Sequence, residues 1–464
     1  MPTLALSMIV RDAERLLARC LESARGVVQE IVIADTGSND RTMEIARALG
    51  AWVFSIPWED DFARARNRAL EAVRADWVLV LDADELLDAA ATRSIASLLA
   101  RPETDGYLVR IRNYVASGTD RLWDQPAKSN DSTLEAARRF PAYVEHENVR
   151  LFRRSPKIYF TGRVHETVGS TLLASGGKLG RANFIIHHFG LAADPETKAR
   201  KNHLYRELGR RKIEETPADA QAHFELGLVE FDNFHNDAEA ARLFARACEL
   251  NPQLSVAWLF AGLAQLRLGE PAAALERLRR AESLGYRTAL VAESQGDAYY
   301  NLGDFDAARK FYRKALERSE SRDSLESKLG LAEIRAGRID AGLARLRKAV
   351  EQSPALGELH DRLITACIWL GRLAEAATAA EQKLTATDPQ PESFLRAASI
   401  RGKLNDWSRA IEILRLGLER FPEHPKLRLC LAEAEARADP SPALARPTAS
   451  HHNKGLKAHA DRAD

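Results

Sequence analysis

Trp77-Val78-Leu79-Val80-Leu81-Asp82-Ala83-Asp84-Glu85 decides the fold of this chain. Five apolar residues run directly into a cluster of acids. An uninterrupted apolar run of that length suits a strand covered on both faces, as in a parallel sheet. The carboxylates then stand at the strand's C-terminal end, the edge at which open α/β sheets bind ligands. Asp82 and Asp84 are separated only by Ala83. Where the chain turns, both can reach one hard cation of the kind that takes oxygen ligands and holds a substrate's phosphates. On spacing alone, a strand ending in solvated acids is the simpler account, and the neighbouring sequence shifts the balance.

Outward from this stretch, β and α patterns alternate. Residues 4–10, 30–34, 51–56 and 77–81 read as strands, and 14–23, 41–49 and 62–74 as helices. Thr36-Gly37-Ser38-Asn39-Asp40 is a turn rich in helix-capping side chains. Short helices between strands predict a parallel, doubly wound sheet. Right-handed crossovers then put Asp35 and the Asp82/Asp84 pair at the same edge. Strands are also expected at 106–114, 149–154 and 182–189, with a long polar loop before the second. Arg150 and Arg153 should fall on opposite faces of their strand, one of them toward the site.

From residue 217 the period changes to 34. Gly269, Gly303, Gly337, Gly371 and Asn405 share one phase with His235, and Ala240, Ala274, Ala308, Gly342, Ala376 and Ala410 share another. Pro252, Pro354 and Pro422 share a third. This is the tetratricopeptide signature, in which small residues let paired helices approach closely. The expected organisation is an α/β domain over 1–200, a linking helix over 201–216, six repeats with a capping helix over 217–438, and a disordered tail over 439–464 whose composition cannot form a core.

Composition narrows the function. The 464 residues carry 67 basic and 66 acidic side chains, a net charge of +1, so nothing argues for nucleic acid or an anionic membrane. Cys20, Cys248, Cys367 and Cys430 are far apart, without metal-site spacing, as in a reducing compartment. No apolar run approaches the length of a membrane span, and the N-terminus lacks a leader pattern, so a cytoplasmic location is expected.

Four motifs in order carry a resemblance: Ser7-Met8-Ile9-Val10-Arg11-Asp12, the 33–42 stretch ending Asp40-Arg41-Thr42, Phe62-Ala63-Arg64-Ala65-Arg66-Asn67, and Leu81-Asp82-Ala83-Asp84-Glu85. Residues 3–200 resemble the family 2 glycosyltransferases of GT-A fold. They are most similar to the bacterial branch that includes lipopolysaccharide core glucosyltransferases and peptide S-glycosyltransferases, some of which carry tetratricopeptide repeats. The family's usual Lys-Asn-Glu-Glu is replaced here by Arg11-Asp12-Ala13-Glu14.

The resemblance implies a nucleotide-sugar donor, a divalent cation (Mn²⁺ or Mg²⁺), and a protein, peptide or lipopolysaccharide-type acceptor. It makes Asp84 a direct metal ligand, with Asp82 beside the ribose or the metal shell and His188 as a further ligand next to the ambiguous His187. Asp35 and Arg66 are implied on the donor, with Arg11 keeping the positive charge of the altered segment; Asn67 reads as structural. Glu166, in Gly162-Arg163-Val164-His165-Glu166, is the implied base, with His165 orienting it or meeting the acceptor. The repeats suggest a surface for the acceptor or another partner. The rival reading is a tetratricopeptide scaffold whose first domain binds nucleotide sugar without turnover.

Overall fold

The strand that ends in the acids is the hinge of the sheet. β1 (Leu4–Val10), β2 (Glu30–Asp35), β3 (Trp52–Ser55) and β4 (Trp77–Val80) are parallel, in the order β3-β2-β1-β4. Helices α1 (Leu17–Ala24), α2 (Thr42–Ala48) and α3 (Phe62–Ala72) connect them. All four residues of β4 are buried. Each such apolar side chain contributes roughly 1.5–3 kcal/mol relative to exposure. The parallel run brings Asp35 and the Asp82/Asp84 turn to one edge, as the alternation requires.

Beyond β4 the sheet is no longer parallel. β5 (Glu85–Leu87) and α4 (Ala89–Leu99) follow in sequence, then β6 (Gly106–Val115), β7 (Arg121–Leu122), β8 (Gln125–Pro126) and β9 (Lys128–Ser129). β10 (Ala142–Arg153) lies antiparallel against both β4 and β6. The strand expected at 149–154 is therefore the end of a longer one that takes up part of the expected loop. After α5 (Gly169–Ala174), β11 (Leu179–His188) is parallel to β6 and antiparallel to β5. The structure, a computed structural model, describes residues 2–115, 121–122, 125–190, 195–319 and 322–438. The expected tail lies outside the described residues.

Contacts divide the chain into Met1–Ser321 and Arg322–Asp464. The first unit continues from the sheet into α6 (Pro195–Glu215), α7 (Ala220–Leu228), α8 (Asp237–Leu250), α9 (Ser255–Arg267), α10 (Pro271–Ser283), α11 (Ala289–Asn301) and α12 (Phe305–Leu316). α6 is continuous, so the expected boundary at residue 200 falls inside a helix. The second unit holds α13 (Asp323–Arg335), α14 (Ile339–Gln352), α15 (Gly357–Trp369), α16 (Leu373–Ala386), α17 (Pro391–Lys403), α18 (Trp407–Arg420) and the terminal α19 (Pro425–Ala438). Among the described residues, no helix is long and apolar enough to cross a membrane.

The phased residues now have physical roles. Gly269, Gly303, Gly337 and Gly371 all have positive φ, and so do His235 and Asn405 at the same phase. The turn inside each helix pair needs a left-handed residue, which glycine supplies without steric cost. The proline phase marks a second device. The side chain six residues on bonds the proline carbonyl: Trp258 Nε1 on Pro252 at 3.1 Å, and in the second unit His360 Nε2 on Pro354 and Arg428 on Pro422; His223 Nε2 does the same at 3.0 Å to Pro217, one residue ahead of the phase. A side-chain donor there satisfies a carbonyl that the following helix cannot reach.

Gly342 occupies the phase held elsewhere by alanine because α13 and α14 meet there on bare backbone. A Cβ at Gly342 would stand 2.5 Å from the Gly330 carbonyl oxygen and 2.6 Å from Ile334. Gly342→Ala is expected to cost about 1–3 kcal/mol through overpacking, read as a lowered urea midpoint of the repeat unit. An unchanged midpoint would show that the helices can separate freely at this point.

Candidate active site

The acids at the end of β4 are folded into a clasp. Glu85 is the residue that closes it, a role that its place in the motif does not reveal. Its carboxylate accepts the Asp82 N–H at 2.8 Å, and its own N–H donates to the Asp82 carbonyl at 3.0 Å. Glu85 is 1% exposed, and burial pushes its carboxyl up to about 7 against the opposing charge of Arg150. Arg150 Nη2 lies 2.9 Å from Glu85 and 3.3 Å from Asp82 Oδ2. Of the two arginines on β10, Arg150 is thus the one that faces the site. Arg153 turns away, to the Thr104 carbonyl and the Trp77 ring.

Arg66 joins this clasp to the candidate base. Its Nη2 donates to Asp82 Oδ1 at 2.6 Å and its Nε to Glu166 Oε1 at 2.5 Å. Arg66 is 6% exposed. A planar guanidinium can serve two carboxylates at once, which an ammonium cannot do with fixed geometry. Burial would raise Asp82, yet Arg66 and Arg150 prevail and hold it well below the usual carboxylate range.

The next residue of α3 holds the chain that delivers Glu166. Asn67 donates to the Phe160 carbonyl at 3.0 Å and accepts the Phe160 N–H at 2.8 Å. Thr161 and Thr167 then pair in both directions and close the loop that carries Gly162, Arg163, Val164, His165 and Glu166. Gly162 and His165 both take positive φ, at 99° and 56°. His165 is exposed, 6.1 Å from the Tyr205 ring. It does not bond Glu166; Arg66 orients that carboxylate instead.

The expected metal trio resolves into a pair. β5 and β11 pair so that Glu85 faces His188, which carries Asp84 to the imidazole: His188 Nε2 lies 3.3 Å from Asp84 Oδ2. Asn113 Oδ1 holds His188 Nδ1 at 2.7 Å, and the Asn113 amide also reaches His146 Nδ1 at 2.8 Å. Asp82 stands apart because its oxygens are engaged by arginines, and no group of three His, Cys, Asp or Glu is gathered for a metal among the described residues. The Asp84–His188 pair does fit a divalent cation: a hard carboxylate oxygen, and an imidazole whose far nitrogen is fixed by a hydrogen bond. Gly190 keeps this corner open, since a Cβ there would collide with Asp84 Oδ2 and His188 Nε2.

His187 is buried and structural. It bonds the Tyr114 hydroxyl at 2.8 Å and stacks on that ring, and burial pushes it down to about 4. His188 goes the other way: burial opposes, but Asp84 raises it.

Asp35 caps its turn. Oδ1 accepts the N–H groups of Gly37 and Ser38 at 3.1 and 3.0 Å, while Oδ2 is buried without a partner. Arg11 is exposed beside it on the altered segment, whose Asp12 takes φ 49° and bonds Ser38 and Asn39.

A cavity of about 920 Å³ gathers most of the expected site residues but not Asp35, whose neighbour Thr36 lines it instead. Arg11, Thr36, Arg66, Asp82, Asp84, Glu166 and His188 line it, as do Lys201 and Tyr205 of α6. That volume is near the top of the roughly 300–1,000 Å³ range of ligand pockets.

The family model for glycosyl transferase family 2 matches residues 7–158. The first domain is a family 2 glycosyltransferase domain. The tetratricopeptide model matches 261–323 and 327–391. A TPR repeat-containing protein of Synechococcus elongatus is 33% identical over 325 residues, 68% of this chain and 66% of that protein. The SPbeta prophage-derived glycosyltransferase SunS of Bacillus subtilis is 25% identical over 167 residues, 36% of this chain and 34% of its own length. An uncharacterized glycosyltransferase of Rickettsia prowazekii is 26% identical over 195 residues, 40% of this chain and 65% of its own. The chain thus spans about two thirds of the first relative and one third of the second. In the glycosyltransferase domain, Glu166 and His188 lie beyond the matched stretch and are placed in the cavity by the fold.

Removing the bridge tests its weight. Arg66→Met leaves two facing carboxylates without their shared cation and is expected to destabilise the first unit by about 3–5 kcal/mol. Urea unfolding of the full chain reads this directly; a loss below about 1 kcal/mol would make the bridge no stronger than a surface ion pair.

Proposed function

We propose that the chain transfers a sugar from a nucleotide-sugar donor to a protein or glycan acceptor, with inversion at the anomeric carbon. The observation that carries this reading is the Arg66 bridge, which brings a donor-side acid, Asp82, and a candidate base, Glu166, to one guanidinium in one cavity.

In this reading the nucleoside lies toward Asp35 and Arg11, and its diphosphate toward Asp84, His188 and Arg66. Asp84 and His188 would hold a divalent cation, Mn²⁺ or Mg²⁺, which when bound supplies Lewis-acid stabilisation of the departing diphosphate. Glu166 takes the proton of the acceptor nucleophile as the new bond to the anomeric carbon forms. The bond from that carbon to the phosphate oxygen breaks, and its electron pair leaves with the nucleoside diphosphate. Arg66 engages Oε1 of Glu166, so Oε2 is the oxygen for the acceptor proton. Charge develops as in glycoside hydrolysis, with oxocarbenium character at the sugar. The repeats offer a surface for a macromolecular acceptor.

Nucleotide release from a panel of UDP- and GDP-sugars with Mn²⁺ tests the reading. Wild type should turn over at least one donor in the presence of acceptor, and Asp84→Ala should lose that turnover. Glu166→Gln should lower turnover by about 10²–10⁴-fold while donor affinity stays within a factor of about three. Turnover by Glu166→Gln at the wild-type rate would remove it as the base.

A further inference from the structure

α6 forms a wall of the cavity that lies outside the matched stretch of the transferase domain. Arg200, Lys201, Leu204 and Tyr205 line the cavity, at a spacing that puts them on one helix face. The rest of the helix is fixed. Arg206 forks onto Glu230 at 2.6 and 2.9 Å, and Glu230 is fully buried in the first repeat. Lys212 pairs with Glu225 at 2.8 Å, and Glu215 pairs with Arg163 of the loop that bears Glu166. The first repeat and the Glu166 loop therefore both hold α6 against the site.

Lys201 has no salt-bridge partner among the described residues. Its ammonium lies 5.6 Å from the Tyr205 ring. The Tyr205 phenol, with smaller help from Asp84 and Asp82, holds that ammonium above the usual lysine range although burial opposes it. Arg66 and Arg150 also line the cavity, and Arg66 Nη1 and Arg150 Nε are buried and have no hydrogen-bond partner. Buried donors of this kind are expensive unless something accepts from them. A lysine ammonium and unanswered guanidinium N–H groups lining one cavity are the chemistry of an oxyanion site.

We propose that Lys201 is a donor-binding residue whose ammonium contacts the diphosphate from the α6 wall of the cavity that Arg66 also lines. The proposal rests on the glycosyltransferase reading. It makes the helix leading into the repeats part of the donor site.

Calorimetric binding of UDP, GDP, dTDP and ADP, with uridine as the phosphate-free control, tests it on the full chain. Wild type should bind at least one diphosphate. Lys201→Met should weaken that binding by about tenfold and leave uridine binding unchanged, and Lys201→Arg should restore most of the loss. Lys201 is exposed, so the variants should keep the wild-type melting temperature. Wild-type affinity in Lys201→Met would overturn the proposal while leaving the transferase reading intact. An equal loss for uridine would overturn it too, since Lys201 would then shape the cavity rather than meet phosphate. Binding of no diphosphate by wild type would remove the transferase reading and the proposal with it.

Discussion

One guanidinium holds the site together. Arg66 sits on α3 between Asp82, sixteen residues ahead, and Glu166, one hundred residues ahead. Two carboxylates that close to each other would repel in a buried setting; a planar cation between them turns the repulsion into a fixed geometry. The rest of the domain serves that geometry. β4 brings Asp82 to the sheet edge, Asn67 pins Phe160, and the closed loop after Phe160 delivers Glu166. Because Asp82 and Glu166 share one partner, neither can shift without changing the environment of the other.

The same stretch that supplies Asp82 also divides the labour of the acids. Glu85 closes the turn and is buried by it, so it is a structural acid. Asp82 is answered by arginines. Asp84 is the acid that pairs with an imidazole, because β5 leaves the turn to pair with β11 and brings His188 there. The three acids lie within four residues of sequence, yet the turn and the antiparallel pairing send each to a different partner. Gly190 belongs to this arrangement too, since only a residue without a side chain passes Asp84 and His188 at that distance.

Local pattern made much of this legible. The apolar run of β4, the alternation that puts Asp35 and Asp82 at one edge, and the 34-residue phase of Gly269, Gly303, Gly337 and Gly371 are all written in short-range periodicity. What stayed illegible depends on long-range closure. Arg66 could be singled out, but its partner Glu166 is chosen by the fold. The choice between His187 and His188 needed the register of β11: neighbouring residues face opposite sides, and His187 points to Tyr114. Asn113 looks like any polar residue in an alternating strand until it is found holding His188 and His146 together. The sequence of α6 reads as a helix but does not say which side Lys201 meets. The antiparallel half of the sheet was hidden for a related reason, since strands of mixed direction share one composition.

Asp82 and Glu166 are coupled through Arg66 although no hydrogen bond joins them directly. A double-mutant cycle on folding free energy, with Asp82→Asn, Glu166→Gln and the double variant, measures that coupling. Residues in one ion-pair network show interaction energies of about 0.5–3 kcal/mol, and the account predicts a value in that range that vanishes when the cycle is repeated in an Arg66→Met background. Simple additivity of the two substitutions in the wild-type background would contradict it.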